Sequence, residues 1–531
     1  MKRFFGISRF RQSPSSAAAT LALFMGLAKV LSFVQQSLLA RKLGASSSTD
    51  AFFIAQIVPM LVGGVLASAL MTSLARDLAA ESDPQKPLPI IFVMTILFLA
   101  LGAAWFVLSG PTVSVLAGGF DRETAALATS LARLMAVMLV MYGVTGAAQG
   151  FYNSRSSFLF PAVSNLLPYI GGVLSLIVLV PRLGILGLVL GILAGLALQT
   201  ALLMAPILAE RLALKGIGRR VFAYLASDFA SFGKRYILVA FSLLVSQLYF
   251  ISNRSMASLY GPGWVAVFGY AATAFSLPLQ LILMSIGSAF LPSLSVMASN
   301  GEREKIASQS QTLLTTLGFV FLPLSLLLFF GSRLLVAILF QGNAFRAEDT
   351  ILTGAVVQAY SFGLLGYAVK DIATFILIAL RRERWPVVLG LAGLALNVGA
   401  GLVFGKFSGP LAIAYVTSAC FLLNAVALMI VIHRSVRLSW KEVVRRSAWR
   451  IGVSGAAMAG AYMILGPVLR FVFRAGSLRI MAELVRLGFA FAVYLLVSKW
   501  MGIPEWDLLW TRYSPLPISI WRRAVSILSP Q

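Results

Sequence analysis

Three basic side chains inside long apolar segments are the residues of this chain best placed to do chemistry. Lys29 is near the middle of one segment, Arg254 is near the end of another, and Lys370 stands beside Asp371 in a third. A charged side chain in bilayer hydrocarbon costs roughly 2.5–3.5 kcal/mol on insertion scales, so it usually faces a bundle interior or a wet cavity. Cations of this kind suit phosphate. We therefore predict a cationic cavity in which Lys29, Arg254 and Lys370 bind an anionic head group.

A purely structural alternative exists for each cation, which could snorkel to the interface or cap a neighbouring carbonyl. The alternative is weakest for Lys29, because that residue is near the centre of its segment. It stays open for Arg254, which is near a segment end, and for Lys370, which Asp371 can neutralise.

Residue patterns typical of catalysis are missing from the sequence. There is no GxxxxGK[ST] loop, no HExxH and no paired Cys/His set, and the chain has one cysteine, Cys420, and one histidine, His433. We therefore predict that the protein is not an enzyme and has no catalytic residue, cofactor or metal site. An ion gradient, the membrane potential or the substrate gradient must then supply the energy for any transport.

Membrane-spanning helices are the elements that must position the three cations. The chain is 59% hydrophobic and only 11% charged, whereas soluble domains have about 25% charged residues. Only helices and closed barrels satisfy the backbone in lipid, and the alternating pattern of a barrel is absent. Apolar runs of helix length predict an all-α polytopic membrane protein with about fourteen spans: 18–40, 51–72, 88–110, 126–150, 159–181, 185–208, 236–258, 264–293, 311–331, 351–380, 386–405, 410–432, 450–469 and 481–502.

The distribution of basic residues predicts the orientation. The net charge is +25, and 28 Lys and Arg residues fall in the loops on the side of the termini, against ten on the opposite side. This bias predicts that both termini are cytoplasmic. In a membrane protein the charge indicates contact with anionic lipid, and perhaps with an anionic substrate, rather than with nucleic acid.

An internal repeat predicts two six-helix lobes followed by two extra helices. The sequence from Phe160 can be laid on that from Trp385 without a gap, at an offset of 225 residues, so that Gly184 matches Gly409. Both repeats cross the membrane in the same direction, and such parallel repeats enclose the substrate site between them. The predicted divisions are an N-terminal tail (1–17), an N-lobe (18–208), a basic cytoplasmic linker (209–235), a C-lobe (236–432), extra helices (433–502) and an interfacial C-terminal tail (503–531).

Several ordered motifs resemble those of a known family. They are LARKLGASSSTDAFFIAQIVP in the first two spans, RSMASLYGPG, SAFLPSLS, ILFQGNAFRAEDT, GLLGYAVKDIATFILIALRRERWP and SGPLAIAYVTSACFLLNA. Together they resemble the MurJ/MviN group of lipid-linked glycan flippases, within the multidrug/oligosaccharidyl-lipid/polysaccharide exporter superfamily. Fourteen spans suit this family better than the twelve of its drug-exporting relatives.

The resemblance implies a transporter that turns a polyprenyl-diphosphate-linked glycan from the inner to the outer leaflet by alternating access. Lipid II, the peptidoglycan precursor, is the family's best-known substrate. The resemblance also implies that Arg41 and Asp50 lie at an outer gate, and that the two extra helices form a groove for the polyprenyl tail. A coupling ion and a glycan-assembly complex are possible further partners.

Five positions depart from the family pattern. Lys29 stands where an arginine is expected, Gln35, Gly63 and Thr273 replace further arginines, and Asn253 replaces an acid. A cavity with fewer cations leaves open a paralogue that moves another lipid-linked oligosaccharide, for example an exopolysaccharide precursor. An ion-coupled drug exporter fits less well, because the charge within the spans is mostly positive. A scaffold for glycan assembly that does not transport is a third alternative.

Overall fold

The computed structural model describes residues 14–79, 87–209, 221, 229–382, 384–439, 444–472 and 476–506. Most of the two predicted tails and most of the predicted basic linker lie outside these residues. The described ranges form helices and no strand. They agree with the all-α class expected from an apolar chain whose backbone groups must bond within each segment.

A helix occupies each of the fourteen predicted spans. The helices are α1 (Pro14–Leu43), α2 (Ser47–Ala55), α3 (Gly63–Ala79), α4 (Pro87–Leu116), α5 (Arg122–Ser154), α6 (Leu159–Ser164), α7 (Leu167–Val178), α8 (Val180–Leu183), α9 (Ile185–Ala209), α10 (Phe229–Ala257), α11 (Trp264–Ser299), α12 (Arg303–Phe340), α13 (Ala347–Ser361), α14 (Leu364–Ala379), α15 (Arg384–Ser408), α16 (Leu411–Val436), α17 (Trp449–Val472) and α18 (Gly476–Trp500).

The chain is a multi-pass membrane protein. Within the described residues, ten helical segments are long and apolar enough to cross a bilayer, and a bent pair makes eleven if it counts as one span. The exposed hydrophobic residues on these helices, such as Val107 and Leu174, are typical of a surface that lipid covers.

Three of the predicted spans are broken helices rather than continuous ones. α2 and α3 are joined by a π-helical stretch, Ile57–Val62, which contains Pro59. A second break separates α6 from α7 ahead of Pro168, and the bent pair α13 and α14 changes direction by 49° at Phe362 and Gly363. Proline removes a backbone donor from the helical ladder, so the first two breaks have a local cause.

The described residues fall into two compact units. The first contains the chain up to Thr273 together with Ala337–Thr353 and Val398–Ile413, and the second contains the remainder. In the first unit α5 packs against α3, α4 and α9, around a core that includes Phe98, Phe151 and Tyr152.

A cluster of side-chain amides ties α6 and α7 to their neighbours in the first unit. Gln149 of α5 and Gln199 of α9 each donate to Oδ1 of Asn165 at 2.8 Å. In the second unit Asn424 of α16 donates to the carbonyl of Leu389 in α15 at 3.1 Å. Gln199 and Asn424 are matched by the 225-residue offset, so matched positions make the same kind of link to the preceding span.

The two extra helices, α17 and α18, belong to the second unit and share a buried polar cluster. The Arg486 guanidinium lies 3.6 Å from the centre of the Tyr462 ring, and its Nε donates to the Tyr462 carbonyl at 2.7 Å. Glu483 accepts a hydrogen bond from the Tyr462 hydroxyl and lies 3.4 Å from Arg486 Nη1. Three residues separate Glu483 from Arg486, a spacing that places both on one helix face and predicts this pairing, and Gly466 leaves the space that the guanidinium fills.

Removing one charge of this cluster should cost more than removing both. Arg486→Met leaves the Glu483 carboxylate without its cation in the membrane, and should lower the free energy of unfolding by about 3 kcal/mol. Glu483→Met combined with Arg486→Met should recover most of that loss. Thermal unfolding in detergent measures both, with Arg182→Met as a control at an exposed arginine. Equal losses in the single and double variants would contradict the pairing.

Candidate functional site

Lys29 is an exposed and unbalanced charge near the middle of α1. Its side chain is exposed, and among the described residues it has no carboxylate within ion-pair distance. Helix α1 spans the membrane by length and composition. An ammonium group at that depth must contact water or an anion rather than hydrocarbon. Lys29 therefore has the surroundings of a ligand-binding cation.

Arg254 is close to the C-terminal end of α10, and it is nearly buried, with 9% of its surface exposed. Its guanidinium lies 5.0 Å from the centre of the Phe53 ring in α2. Phe53 in turn meets Tyr270 edge to face at 5.3 Å. The aromatic ring supports the charge by a cation–π interaction, so Arg254 is held in place by packing.

Lys370 belongs to the second unit and carries its own counter-ion. Its Nζ lies 2.6 Å from Oδ1 of Asp371 and 4.5 Å from the centre of the Tyr367 ring. The Lys370 side chain is 11% exposed and that of Asp371 is 28% exposed. A phosphate that bound Lys370 would have to compete with this neighbouring carboxylate.

Arg41 lies in the last turn of α1, where it contacts the end of α12. Its Nη2 donates to the carbonyl of Ile338 at 2.9 Å, and its own carbonyl accepts from the Ala344 N–H at 3.1 Å. One turn earlier, the Ser37 hydroxyl donates to the carbonyl of Leu339. The end of α1 is thus bound to the end of α12 by side-chain hydrogen bonds and to the segment that follows α12 by a backbone hydrogen bond.

Asp50 caps a helix that lies more than 200 residues away in the sequence. Its carboxylate is fully buried, and it accepts hydrogen bonds from the N–H of Gly263 and, at 2.6 Å, from that of Ala266. These are free donors at the start of α11 (Trp264–Ser299). The first N–H groups of a helix have no partner within it, and its N-terminus favours negative charge. Asp50 supplies both the acceptor and the charge.

Two glycines bring the backbones at this contact together. Gly44 has φ +66° and Gly263 has φ +87°, in the left-handed region that glycine adopts readily. A Cβ on Gly44 would collide with the carbonyl of Ala344, and a Cβ on Gly263 would lie 2.7 Å from the carbonyl of Ala45. We call residues 41–50, 258–270 and 338–349 the terminal junction.

Asp349 and Tyr270 are residues of the terminal junction that the sequence did not reveal. The Asp349 carboxylate accepts from the Arg346 N–H at 2.9 Å and also from the backbone of Ala45. The Tyr270 hydroxyl donates to the Gly44 carbonyl at 3.3 Å. An acid in the first turn of α13, in the segment AEDT, is a pattern from which a helix cap could have been predicted. No local pattern could have identified Ala45 as the second partner of Asp349.

The positions that lack the expected arginines are filled by packing. The side chain of Gln35 is buried against Gly172. It packs so closely that a Cβ added to Gly172 would lie 2.6 Å from the amide carbon of Gln35. The side chains of Leu139 and Tyr142 occupy the space beside Gly63. Thr273 donates its hydroxyl to the Gly269 carbonyl at 3.0 Å, within α11.

In the part of the chain that the structure describes, no group of three or more His, Cys, Asp and Glu side chains could hold a metal ion. Cys420 is buried, and it is not joined to another cysteine.

Comparison with known proteins identifies the family. The sequence profile described as "Lipid II flippase MurJ" matches residues 39–481. The lipid II flippase MurJ of Burkholderia cenocepacia is 27% identical over 434 residues, which are 72% of this chain and 81% of that protein. A probable lipid II flippase MurJ of Thermotoga maritima is 23% identical over 512 residues, which are 94% of this chain and all of that protein.

Solved structures share the fold. A lipid II flippase MurJ in an inward closed conformation matches with a TM-score of 0.74 at 19% identity, over 92% of this chain and 98% of that one. An inward-facing multidrug transporter of the MATE family matches with a TM-score of 0.66 at 13% identity, over 79% and 98% of the two chains. The fold is therefore that of the superfamily, and the profile, which covers most of the sequence, shows that the chain belongs to the MurJ family of lipid II flippases.

Proposed function

We propose that this protein moves lipid II, or a closely related polyprenyl-diphosphate-linked glycan, from the inner to the outer leaflet of a bacterial inner membrane. The observation that carries the proposal is the exposed and unbalanced ammonium of Lys29 in a membrane-spanning helix. A lipid-linked diphosphate is the anion that a membrane protein of this family meets at that depth. The curated relatives are named as lipid II flippases, which supports the same substrate and a role in peptidoglycan synthesis.

The three predicted cations have different parts in this proposal. Lys29 is the primary ligand of the diphosphate, because nothing else among the described residues balances its charge. Arg254 is held against Phe53 and contributes a fixed positive charge. Lys370 must give up its ion pair with Asp371 before it can bind a phosphate oxygen of the head group. Its net contribution to the binding free energy is therefore smaller by the free energy of that ion pair.

The terminal junction is the proposed outer gate of an alternating-access cycle, with both termini on the cytoplasmic side. Asp50 and Arg41 hold it through hydrogen bonds to backbone groups, and Gly44 allows the close approach. Opening this gate must break several of these bonds together, so it needs the energy of substrate binding or of the membrane potential. The two predicted lobes would rock about the head-group site.

A changed substrate is the second candidate. The side chains at Gln35 and beside Gly63 are packed without any additional cation, which leaves fewer charges for the acidic groups of a lipid-linked glycan. Depleting the protein in its own cells and assaying leaflet accessibility of polyprenyl-diphosphate glycans separates the candidates. Lipid II trapped in the inner leaflet, with lysis, supports the first, and another trapped precursor with normal lipid II supports the second.

Removing the Lys29 charge should abolish transport. In Lys29→Ala the diphosphate loses the cation that replaces its water of hydration, so we expect translocation to fall at least 100-fold, equivalent to about 3 kcal/mol. Translocation of labelled lipid II in proteoliposomes measures the effect, and protease protection confirms insertion. Lys406→Ala removes an exposed lysine in the last turn of α15, outside the proposed gate and head-group site, and serves as the control. Wild-type transport by Lys29→Ala would contradict the proposed cavity.

A methyl group at Gly44 should loosen the outer gate. Gly44→Ala combines the cost of a left-handed conformation, about 1 kcal/mol, with a collision against the Ala344 carbonyl. In a Cys420→Ser background, Ala51→Cys places a thiol at a fully buried position next to the gate. An impermeant maleimide should label it several-fold faster from the outside when Gly44→Ala is also present.

Gly184→Ala is the matched control for this experiment. Gly184 also has a positive φ, +56°, but a Cβ there would have nothing within 4 Å. The Gly184→Ala variant adds backbone strain without a collision. The labelling rate of the Ala51→Cys thiol should therefore stay at that of the protein without a glycine substitution. The same acceleration from both glycine variants would show that general destabilisation, rather than the gate contact, exposes residue 51.

A further inference from the structure

The face of α1 that presents Lys29 also presents Gln36. Seven residues separate the two, and at about 3.6 residues per turn they point in nearly the same direction, about 10 Å apart along the helix. On one flank of this face, Gln35 packs against Gly172 of α7. On the other flank, Phe33 packs against Phe340 at 6.0 Å. Lys29 and Gln36 therefore project between these two packed flanks.

Gln36 has a hydrogen-bonding atom without a partner. Its Oε1 is buried and accepts no hydrogen bond in the part of the chain that the structure describes, although the residue as a whole is partly exposed. A buried acceptor left unsatisfied is unfavourable, and a site that keeps one needs an explanation. A ligand that donates a hydrogen bond would satisfy this atom.

Two hydroxyl groups lie between Lys29 and Gln36 along the same face. Ser32 is one turn from each of them, and its side chain interacts with the hydroxyl of Tyr169 in α7. Both residues are partly exposed. The face thus offers a charge at one end, hydroxyls in the middle and an amide acceptor at the other end, the end towards Arg41.

A ligand that satisfies this face needs an anion at one end and hydrogen-bond donors about 10 Å away. A glycan joined to a diphosphate has this arrangement, because its anomeric carbon is linked to the distal phosphate and its hydroxyl and amide donors lie further along the sugar. The polyprenyl diphosphate alone has no donor to offer Gln36. The neutral groups of the face therefore distinguish a glycan-bearing lipid from a bare one.

We infer that Gln36, with Ser32 and Tyr169, forms a glycan subsite that orients the substrate along α1. The diphosphate lies at Lys29, and the sugars point towards the C-terminal end of α1. This inference rests on the proposed function, since it divides the head-group site into a phosphate part and a sugar part. Gln36 is a specificity-determining residue, and the subsite selects substrates by their hydroxyl groups rather than by their charge.

The subsite is tested by the ratio of two affinities of the full-length protein in detergent. Native mass spectrometry titrations give the dissociation constants for lipid II and for undecaprenyl diphosphate, and their ratio reports glycan recognition. Gln36→Leu keeps the size of the side chain but removes the acceptor. We expect it to lower the preference for lipid II by about five- to tenfold, the value of one hydrogen bond to a buried group, and to leave the bare lipid unchanged.

Two further variants keep the test decisive if Gln36→Leu folds poorly. Tyr169→Phe removes one hydroxyl from the same face and should lower the ratio about threefold, a loss at the lower end for one hydrogen bond. Lys29→Met should weaken both lipids equally, because both carry the diphosphate. Gln35→Leu makes the same chemical change on the flank that packs against Gly172, and should leave the ratio as in the wild type.

An unchanged ratio in Gln36→Leu and Tyr169→Phe would overturn the subsite, as would an equal fall in Gln35→Leu. If Lys29→Met still weakened both lipids, the proposed function would survive that result. A wild-type protein that bound neither lipid would overturn the proposed function together with the subsite. The two failures are therefore distinguishable in one set of titrations.

Discussion

A charge in the hydrocarbon of a bilayer must find an opposite charge, water or a ligand, and this requirement governs how the structure treats its basic residues. Arg486 has Glu483 and a backbone carbonyl, Lys370 has Asp371, and Arg254 has the ring of Phe53. Lys29 has no such partner among the described residues, and it is exposed. The structure therefore separates charges that have a partner within the protein from Lys29, which is the cation that the proposed function assigns to the substrate.

The terminal junction meets the same requirement with backbone groups. The free N–H groups at the start of α11 would be costly if they were buried without acceptors, and Asp50 supplies them from another part of the chain. The Asp349 carboxylate likewise accepts a hydrogen bond from the backbone of Ala45. Contacts made by backbone atoms need close approach, which explains glycine at 44 and 263. The junction also contains a buried aromatic cluster of Tyr270, Phe340 and Phe345, so apolar packing holds these segments together as well as backbone hydrogen bonds.

In the proposed subsite, the neutral polar groups beside Lys29 would give this member of the family a recognition surface that does not depend on a dense set of arginines. Gln35 and Gly172 fit each other, as do Gly63 and Tyr142, so these positions are packed surfaces rather than empty places. Charge attracts any lipid diphosphate, whereas hydroxyl and amide groups respond to the shape and donors of a sugar. Affinity and specificity would then lie on different residues of one helix face.

The sequence by itself determined the helical class and the run of apolar helices, and it singled out Lys29 as an ammonium group in the middle of one of them. These properties depend on local composition: a run of about twenty apolar residues forms a helix in lipid whatever surrounds it, and a lysine in its middle is anomalous in any context. Motifs resembling one family also indicated the family that the comparisons then established. The expected pairing of Glu483 with Arg486 followed from their spacing on one helix.

Only the tertiary structure decided which polar groups meet across large distances in the chain. Asp50 and Gly263 are 213 residues apart, and Arg41 and Ile338 are 297 apart, so no local pattern connects them. The second partner of Asp349 and the unsatisfied oxygen of Gln36 were hidden for the same reason. Whether a polar side chain in a membrane helix is satisfied depends on its neighbours in space, and packing alone fixes those neighbours.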